Sequence, residues 1–418
     1  MTNNIAQQPR GTTLSLSAML KDAIIDSDGK ALGKLNDVVV RLRHNQYPLF
    51  SGLVVDVGSA RGFVPESDVL SMDAKSIRLS TGRIDLLPFE RRDGEVLLKQ
   101  DILGHRLIDI TRSALVRAFD VRFTSSAAGW IATALDVHKH RWFQFGAHEH
   151  HPARDWHTFL LLLGNQNSTE ANRELSRIRR LKPAQIADMI ESASSQEESL
   201  LLAQVHTDPE LEADVFEELD DDKKTKLLKM RSDKDIADVL SRMRADDVAD
   251  TVMDLPQGRR RKVLDLLPPS QNKKVLALLG YHEATAGGLM GTDYLALPQE
   301  QSIADAIEKV RAATTHQPEA LTTIHALRAD GALAGTISLV RALQMNPKTL
   351  LRDAADTQTV VASPEDDIIT ITTRMADFNL LSLPVLDPSG RMLGIVTVDD
   401  ALEAAIQRDW FQRKSTHL

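Results

Sequence analysis

The chain of 418 residues contains no cysteine, which excludes disulfide bonds, thiolate zinc sites and cysteine nucleophiles. This composition fits a reducing compartment, and we expect a cytoplasmic location. The longest apolar runs, such as Phe159–Leu163, have five residues, whereas a membrane-spanning helix needs about 20. Residues 1–13 lack the apolar core of a signal peptide. We therefore predict a soluble chain without membrane insertion, which cannot itself form a transmembrane pore.

Charge is distributed unevenly along the chain. Residues 1–180 contain 24 Lys and Arg against 20 Asp and Glu, whereas residues 181–418 contain 26 against 39. An acidic carboxyl-terminal half disfavours nucleic acid as a partner and favours cations or basic protein surfaces. Phosphate-loop, His-Glu-x-x-His and Gly-x-Ser-x-Gly motifs are absent from the sequence. From the length we expect about two to four domains, and from the motifs no enzyme activity.

The first third of the chain consists of short β-rich runs separated by turn residues, and we assign residues 1–123 to a β domain. Leu20–Val40 aligns without a gap on Leu103–Phe123, at an offset of 83, which indicates two related units. Ser51–Val55 and Arg61–Pro65 resemble a PRC-barrel domain. That resemblance implies a small β-barrel with a docking or adaptor role, and it leaves open whether the domain holds one barrel or two.

Residues 124–169 form a connector rich in histidine. A polar linker and a transition-metal site are both compatible with this composition. An enzyme that uses a metal held by the connector is a further hypothesis for the chain. The histidines concerned are His138, His140, His148, His150, His151 and the neighbouring His157.

Residues 170–283 show apolar side chains at helical spacing. They divide into short sequence segments of 12 or 13 residues, here called phrases, such as Leu219–Met230. Helices this short cannot bury a face alone, so we predict a stacked helical solenoid. The next segment, Gly280–Met290, contains Gly287 and Gly288, which suit a sharp change of direction because glycine adopts backbone angles that other residues avoid. We predict a hinge at these two glycines.

Acidic residues are concentrated on one predicted helix of the solenoid. Asp246, Asp250 and Asp254 lie four residues apart and should line one helix face, beside Asp247. Unpaired carboxylates at this spacing repel each other, and a divalent cation would relieve the repulsion. Capping and solvation of a helix start explain the same residues without any ligand.

Two strand-and-helix units follow, over residues 284–346 and 347–410, and they match without a gap at an offset of 59. The second contains Leu381–Leu386 and Leu393–Asp400, which carry the signature of a CBS domain. With the helical phrases and Gly280–Met290, the chain resembles the cytosolic part of MgtE-type magnesium transporters without their membrane domain. The implied fold is a multidomain α+β protein, with a small β-barrel, an α-helical solenoid and a tandem β-α CBS pair.

The resemblance implies roles for particular residues. In the MgtE family, acidic side chains of the helical domain face the CBS domains and share magnesium ions with them. The candidates here are Asp246, Asp247, Asp250 and Asp254.

CBS pairs commonly bind adenine nucleotides, and a Thr or Ser with an Asp three residues later contacts the ribose. Thr397 and Asp400 match this pattern, so ATP, ADP or AMP are candidate ligands. In the first copy Ser338 matches, but Arg341 stands where the Asp would be. At most one standard ribose contact is therefore expected per chain.

These observations lead to two hypotheses. In the first, the chain is a soluble cytoplasmic regulator that senses a divalent cation, Mg²⁺ above all, through closure of the solenoid on the CBS pair, and acts in metal-ion transport or homeostasis with a membrane transporter as partner. In the second, it is a nucleotide-responsive CBS adaptor in which metal has no role. The resemblance also implies a homodimer formed through the CBS domains.

Overall fold

The structure is a computed structural model, and it describes residues 12–20, 22–73, 76–82, 89–137, 153–162, 176–313 and 318–406. The chain divides into two compact units at the boundary between Leu219 and Asp220. This boundary lies inside the predicted solenoid. The first three described solenoid helices therefore belong to the same unit as the β domain.

Fourteen strands form the β domain of the first unit among the residues described. They are β1 (Thr13–Ser15), β2 (Ala23–Ile25), β3 (Ala31–Arg43), β4 (Gln46–Val57), β5 (Ala60–Pro65), β6 (Val69–Met72), β7 (Ser76–Leu79), β8 (Glu95–Leu97), β9 (Arg106–Asp109), β10 (Ala114–Arg117), β11 (Asp120–Ser126), β12 (Gly129–Asp136), β13 (Arg154–Asp155) and β14 (Phe159–Leu161). One sheet follows the order β1-β11-β12-β4-β3-β2-β7-β6, with β5, β8 and β13 pairing alongside, and a second follows β10-β9-β14. Three register shifts between β3 and β4 mark bulges, which bend strands and help the larger sheet to curl.

Beside a small cluster of Val39, Val54 and Leu97, one large buried core fills the β domain and draws on both halves of the predicted repeat. It extends along the sequence from Leu14 to Leu161. The predicted boundary at residue 123 falls within β11, and the sheet continues beyond it because Trp156, Phe159 and Leu161 join the same core. The strands β12 to β14 thus occupy part of the predicted connector. The PRC-barrel assignment stays a prediction.

The two repeats of the β domain are intertwined through equivalent aspartates. Asp37 accepts hydrogen bonds from the backbone N–H groups of Lys99 and Gln100, at 2.7 and 3.0 Å. Asp120, which lies 83 positions after Asp37, accepts from the backbone N–H of Ser17 at 2.9 Å. Ser17 is in turn the equivalent of Gln100 at the same offset. Each repeat therefore caps a helical turn of the other.

Three helices complete the described part of the first unit: α2 (Pro183–Ser192), α3 (Ser195–Val205) and α4 (Pro209–Glu218), where α1 is the short helix Leu16–Met19 near the amino terminus. Arg106 of β9 pairs with Glu197 in the first turn of α3, with Nε 2.9 Å from Oε1. This guanidinium lowers the pKa of Glu197 to about 2. The ion pair ties α3 to the smaller sheet.

Five helices open the second unit: α5 (Asp221–Lys229), α6 (Asp233–Leu240), α7 (Ala245–Asp254), α8 (Gln257–Leu266) and α9 (Pro269–Leu278). Each lies within one of the predicted phrases of 12 or 13 residues, so the helical prediction is confirmed. The starts follow ordinary capping chemistry: the Asp220 and Ser232 side chains accept from backbone N–H groups of α5 and α6.

The hinge at Gly287 and Gly288 was predicted from unusual glycine backbone angles, and this physical reason is wrong. Neither glycine has a positive φ, and both lie in a short helix, α10 (Ala286–Leu289). A Cβ on Gly287 would meet the Tyr281 ring at 2.5 Å, and one on Gly288 would lie 2.7 Å from Glu283 Cα. The glycines therefore allow close packing. Backbone N–H groups of Ala286 and Gly287 also donate to the carbonyls of Asp366 and Pro364, which fixes this segment on the second strand-and-helix unit.

The two strand-and-helix units follow the same plan. The first has β15 (Ala296–Pro298), α11 (Ile303–Ala312), β16 (Thr323–Leu327), β17 (Leu333–Ser338), α12 (Leu339–Gln344) and α13 (Leu351–Ala354), and the second has α14 (Ile368–Asp377), β18 (Ser382–Leu386), β19 (Met392–Thr397) and α15 (Val398–Ala405). Gly331 and Gly390, equivalent at the offset of 59, both have a positive φ in their hairpin turns. Ser382 Oγ donates to Thr323 Oγ1 at 3.1 Å, and these residues are also 59 apart. Contacts between equivalent positions indicate an approximate twofold relation between the copies.

The mixed architecture predicted from the sequence is confirmed: a curled amino-terminal sheet, a helical domain and a pair of β-α units. Across the parts of the chain that the structure describes, no helix combines the length and apolar character needed to cross a membrane. The longest of these helices, α3, has 11 residues.

We expect Gly288→Ala to lower the free energy of unfolding of the second unit by about 1–3 kcal/mol, because the new methyl group meets backbone atoms that cannot yield cheaply. Urea denaturation would measure the change. Gly280→Ala is the matched control, since nothing lies within 4 Å of a Cβ at that position. Equal effects of the two substitutions would contradict the packing role of Gly288.

Candidate functional site

Two helix starts with acidic first turns lie together in the second unit. Asp246 and Asp247 are in the first turn of α7, and Asp399 and Asp400 are in the first turn of α15. A helix amino terminus favours negative charge locally, which explains each cluster separately. Bringing the two together concentrates carboxylates, and a counter-ion is required. We call Arg244, Asp246, Asp247 and Asp400 the acidic contact.

Arg244 supplies positive charge at the acidic contact. Its Nε donates to Asp247 Oδ2 at 2.6 Å, and its Nη1 donates to Asp400 Oδ1 at 2.8 Å. The three side chains are between 11 and 26% exposed, so water screens these pairs only in part. The neighbouring carboxylates Asp247, Asp246 and Asp400 raise the pKa of Arg244 despite its burial. This guanidinium joins the start of α7 to the start of α15.

Asp246 is the most unusual group of the contact. The residue is only 8% exposed, and its Oδ1 atom is buried without a hydrogen-bond partner in the described part of the chain. Burial raises the pKa of Asp246 well above its usual range, and the charges of Asp247 and Asp400 act in the same direction. A buried carboxylate oxygen without a donor is costly, so this atom is suited to a proton or to a cationic ligand.

Asp250 and Asp254 lie in a second, more open environment. Their pKa values are raised first by desolvation, and then by neighbouring carboxylates that include Asp221 and Glu283. For Asp250 the pKa rises to about 6. The Asp250 side chain is exposed at the surface, yet the surrounding protein removes enough water to disfavour its charge. Lys224 is the nearby cation that partly offsets the repulsion.

The structure therefore places the four predicted aspartates in two settings. Asp246 and Asp247 meet Asp400 and Arg244, whereas Asp250 and Asp254 share Asp221, Glu283 and Lys224 as neighbours. Asp246, Asp250 and Asp254 follow one another at the predicted spacing of four residues along α7, but Asp246 is buried whereas Asp250 and Asp254 are exposed.

Sequence reasoning missed the partners of these aspartates. Arg244 occupies the N-cap position directly before the acidic turn of α7, which is a signal that the sequence offered. Glu403 of α15 also belongs to the neighbourhood, since burial, Asp247 and Asp400 raise its pKa. Within the described residues, no three His, Asp or Glu side chains converge closely enough to hold a metal ion. The donors nevertheless fit magnesium chemically, because they are hard oxygen ligands and one buried oxygen lacks a partner.

Thr397 and Asp400, predicted to contact ribose, lie together. Thr397 is 2% exposed, and its Oγ1 donates to Asp400 Oδ2 at 2.5 Å. The other oxygen of Asp400 accepts from Arg244. Ser338 of the first copy is exposed and caps α12, accepting from the backbone N–H of Arg341 at 3.3 Å. The two copies thus present different groups at equivalent positions.

The histidines His138, His140, His148, His150 and His151 lie outside the described residues. His157 is described, and its Nδ1 lies 3.1 Å from Asp155 Oδ1. Asp155 Oδ2 accepts from the Tyr47 hydroxyl at 2.6 Å, and the His157 and Tyr47 rings are in edge contact. These contacts account for His157 as a packing residue of the β domain.

Comparison with known proteins identifies two domain types. Residues 181–284 match the family model of the MgtE intracellular N domain, and residues 351–407 match that of the CBS domain. The chain thus carries the domain types of the cytosolic part of magnesium transporters. The matched MgtE segment spans the boundary between the two compact units.

Individual relatives agree with this assignment. The chain is 31% identical over 169 residues to the magnesium transporter MgtE of Thermus thermophilus, covering 40% of this chain and 35% of the relative. It is 23% identical over 168 residues to MgtE of Bacillus subtilis, covering 40 and 37%. The chain thus spans little more than a third of the length of these relatives.

Solved structures show the same likeness. The cytosolic domain of the Mg²⁺ channel MgtE in complex with ATP aligns with a TM-score of 0.52 and 25% identity, over 55% of this chain and 94% of that one. The soluble part of a magnesium transporter aligns with a TM-score of 0.51 and 24% identity, over 56% of this chain and 91% of that one. The helical domain and the CBS pair therefore have the fold of a transporter's cytosolic part.

The raised pKa of Asp250 predicts a pH dependence of stability in the presence of EDTA. Its folded-state pKa of about 6 lies above the ordinary value of 3.8, so the folded state binds the proton more tightly. The associated stability is fully present below pH 3.8 and is lost as the pH rises through about 6. Asp250→Asn should then stabilise the protein at pH 8, by at most about 1 kcal/mol because solvent screens this exposed group.

Thermal unfolding at pH 4 and pH 8 would test this expectation, with no difference between variant and parent at pH 4. Asp265→Asn is the control, because Asp265 is an exposed residue of α8 whose side chain is 69% accessible. A stabilisation of Asp250→Asn that is equal at both pH values would contradict the assignment.

Proposed function

We propose that this protein is a cytoplasmic regulatory protein that responds to a divalent cation, Mg²⁺ above all, through the contact between its helical domain and its CBS pair. The observation that carries the proposal is the acidic contact, where Asp246, Asp247 and Asp400 come together and one buried carboxylate oxygen lacks a partner. The likeness to the cytosolic part of MgtE transporters supports the choice of cation and the location. The domain types give no support to enzyme activity.

A bound cation would supply positive charge to carboxylates that belong to different parts of the second unit. Asp246 and Asp247 come from the helical domain, and Asp400 comes from the second CBS copy. Asp250 and Asp254 would add negative potential that attracts the ion. Neutralising both sides together favours the arrangement in which α7 and α15 are in contact, which is a population shift with a defined electrostatic cause.

A nucleotide-responsive adaptor without a metal role is the second candidate function. The observation that favours it is the hydrogen bond between Thr397 and Asp400, which presents a carboxylate suited to ribose hydroxyl groups. ATP, ADP and AMP are the ligands to test. If this second function is correct, Mg²⁺ would leave the unfolding temperature of the protein unchanged, whereas a nucleotide would change it.

We also propose that the chain forms a homodimer through its CBS copies, and that a membrane metal-ion transporter receives its signal. Equivalent residues Leu343 and Leu402 are 61 and 52% exposed on α12 and α15, and Phe378 and Leu381 of the second copy are exposed as well. Leu381 and Leu402 line a groove of about 300 Å³, together with side chains of α14 such as Met375 and Ala376. A second copy of this apolar face would cover these side chains. A role in nucleic-acid binding is not proposed, since the carboxyl-terminal half is acidic.

Magnesium should raise the unfolding temperature of the protein if it binds the acidic contact. At 100 times its dissociation constant a ligand stabilises by about 2.7 kcal/mol, or roughly 5 °C in a unit of this size. Asp246→Asn/Asp250→Asn/Asp254→Asn should abolish the shift, whereas the control Asp265→Asn should retain it. Calorimetric titration with Mg²⁺ would confirm binding directly. A shift that survives the triple substitution would place the cation elsewhere, and a response to nucleotide alone would favour the second function.

Leu343→Glu/Leu402→Glu should convert the dimer to a monomer, because two charges would be buried in each apolar face. Light scattering after gel filtration would measure the mass. Leu266→Glu is the matched control, since Leu266 of α8 is similarly exposed at 53% but lies on the helical domain. A parent protein that is already monomeric at high concentration would rule out the dimer.

A further inference from the structure

Arg244 occupies the place at the acidic contact where a bridging cation would act. Its guanidinium contacts one carboxylate on α7 and one at the start of α15, although Arg244 and Asp400 are 156 residues apart in the sequence. A cation that joins the helical domain to the CBS pair would have to make the same connection. The protein thus already contains a positive group that performs it.

Three carboxylate oxygens of the acidic contact already accept hydrogen bonds, and a fourth is buried without a partner. Asp400 Oδ2 accepts from Thr397, Asp400 Oδ1 and Asp247 Oδ2 accept from Arg244, and Asp246 Oδ1 is the buried oxygen without a partner. A divalent cation needs several oxygens converging on it. It could gather Asp247 and Asp400 with Asp246 only if the guanidinium moved away, since two positive groups would otherwise share the same carboxylates.

We propose that Arg244 is a built-in competitor of the divalent cation, holding α7 against α15 when the cation is scarce and yielding its carboxylates when the cation binds. This inference rests on the proposed function for the identity of the ligand. It adds that Arg244 keeps the contact between the helical domain and the CBS pair populated without a cation, so that a bound cation strengthens a contact that already exists. Arg244 is therefore a positioning residue that sets how strongly the arrangement depends on the cation.

Loss of the guanidinium should make the contact depend on the cation. In Arg244→Gln the carboxylates of Asp246, Asp247 and Asp400 face each other without their positive partner, and the separated arrangement gains about tenfold in population when EDTA is present. Millimolar Mg²⁺ then restores the contact. The matched control is Arg261→Gln, which removes the same charge from an α8 side chain that is 93% exposed.

The absence of cysteine makes a distance measurement straightforward. Leu266→Cys on the helical domain and Pro388→Cys in the hairpin of the second CBS copy provide two exposed sites for spin labels. Pulsed electron resonance on labelled chains diluted with unlabelled protein would report the distance within one chain. We expect one narrow distribution for the parent and for Arg261→Gln in EDTA, a broad distribution for Arg244→Gln in EDTA, and a narrow one again with Mg²⁺.

The outcomes separate this inference from the proposed function. If Arg244→Gln keeps the narrow distribution in EDTA, Arg244 does not hold the contact and the inference is overturned. If the distribution broadens but Mg²⁺ fails to restore it, while calorimetry shows Mg²⁺ bound to the parent protein, Arg244 holds the contact without competing for the cation, and the competition is wrong. If no form binds Mg²⁺, the proposed function fails, whereas the EDTA arm still decides whether Arg244 holds the contact.

Discussion

Carboxylates taken out of water need a positive partner, and this requirement governs the second unit of the protein. The starts of α7 and α15 are acidic for a local reason, because each stabilises its own helix dipole. When the two starts meet, the local advantage becomes a shared electrostatic cost. Arg244 offsets that cost for Asp247 and Asp400 but leaves one oxygen of Asp246 without a donor. The charge balance is therefore incomplete, which is the physical basis of the proposed cation response.

The junction between the helical domain and the CBS pair sets a second constraint. Gly287 and Gly288 permit tight contact with Tyr281 and Glu283, and the segment is hydrogen-bonded to the second CBS copy. The glycines thus allow close packing at the place where a hinge was predicted. A change in the contact between α7 and α15 would have to arise in the electrostatic contact itself, because this junction is fixed by backbone hydrogen bonds.

The elements that could be predicted from the sequence are those that depend on residues close together along the chain. Each helical phrase carries its own apolar period, so α5 to α9 were predictable, and the matching hairpins of the CBS copies followed from Gly331 and Gly390. Pairings between distant residues were not predictable in this way. The residues around Arg244 give no indication that its partner is Asp400, which lies 156 residues later. Helical spacing alone could not show that Asp246 is buried while Asp250 is exposed. Residue types of the site were thus predictable, but their partners depend on the tertiary fold.

The exchange of caps between the two β repeats bears on how the protein is made. Asp37 accepts hydrogen bonds from the backbone N–H groups of Lys99 and Gln100, and Asp120 accepts one from the backbone of Ser17. Neither repeat therefore completes its hydrogen bonds from its own residues. The core also needs side chains as late as Leu161. Folding that depends on such distant contacts is slow to begin. On the ribosome, the first repeat must therefore remain incomplete until the second has emerged, and the β domain folds as one body rather than one repeat at a time.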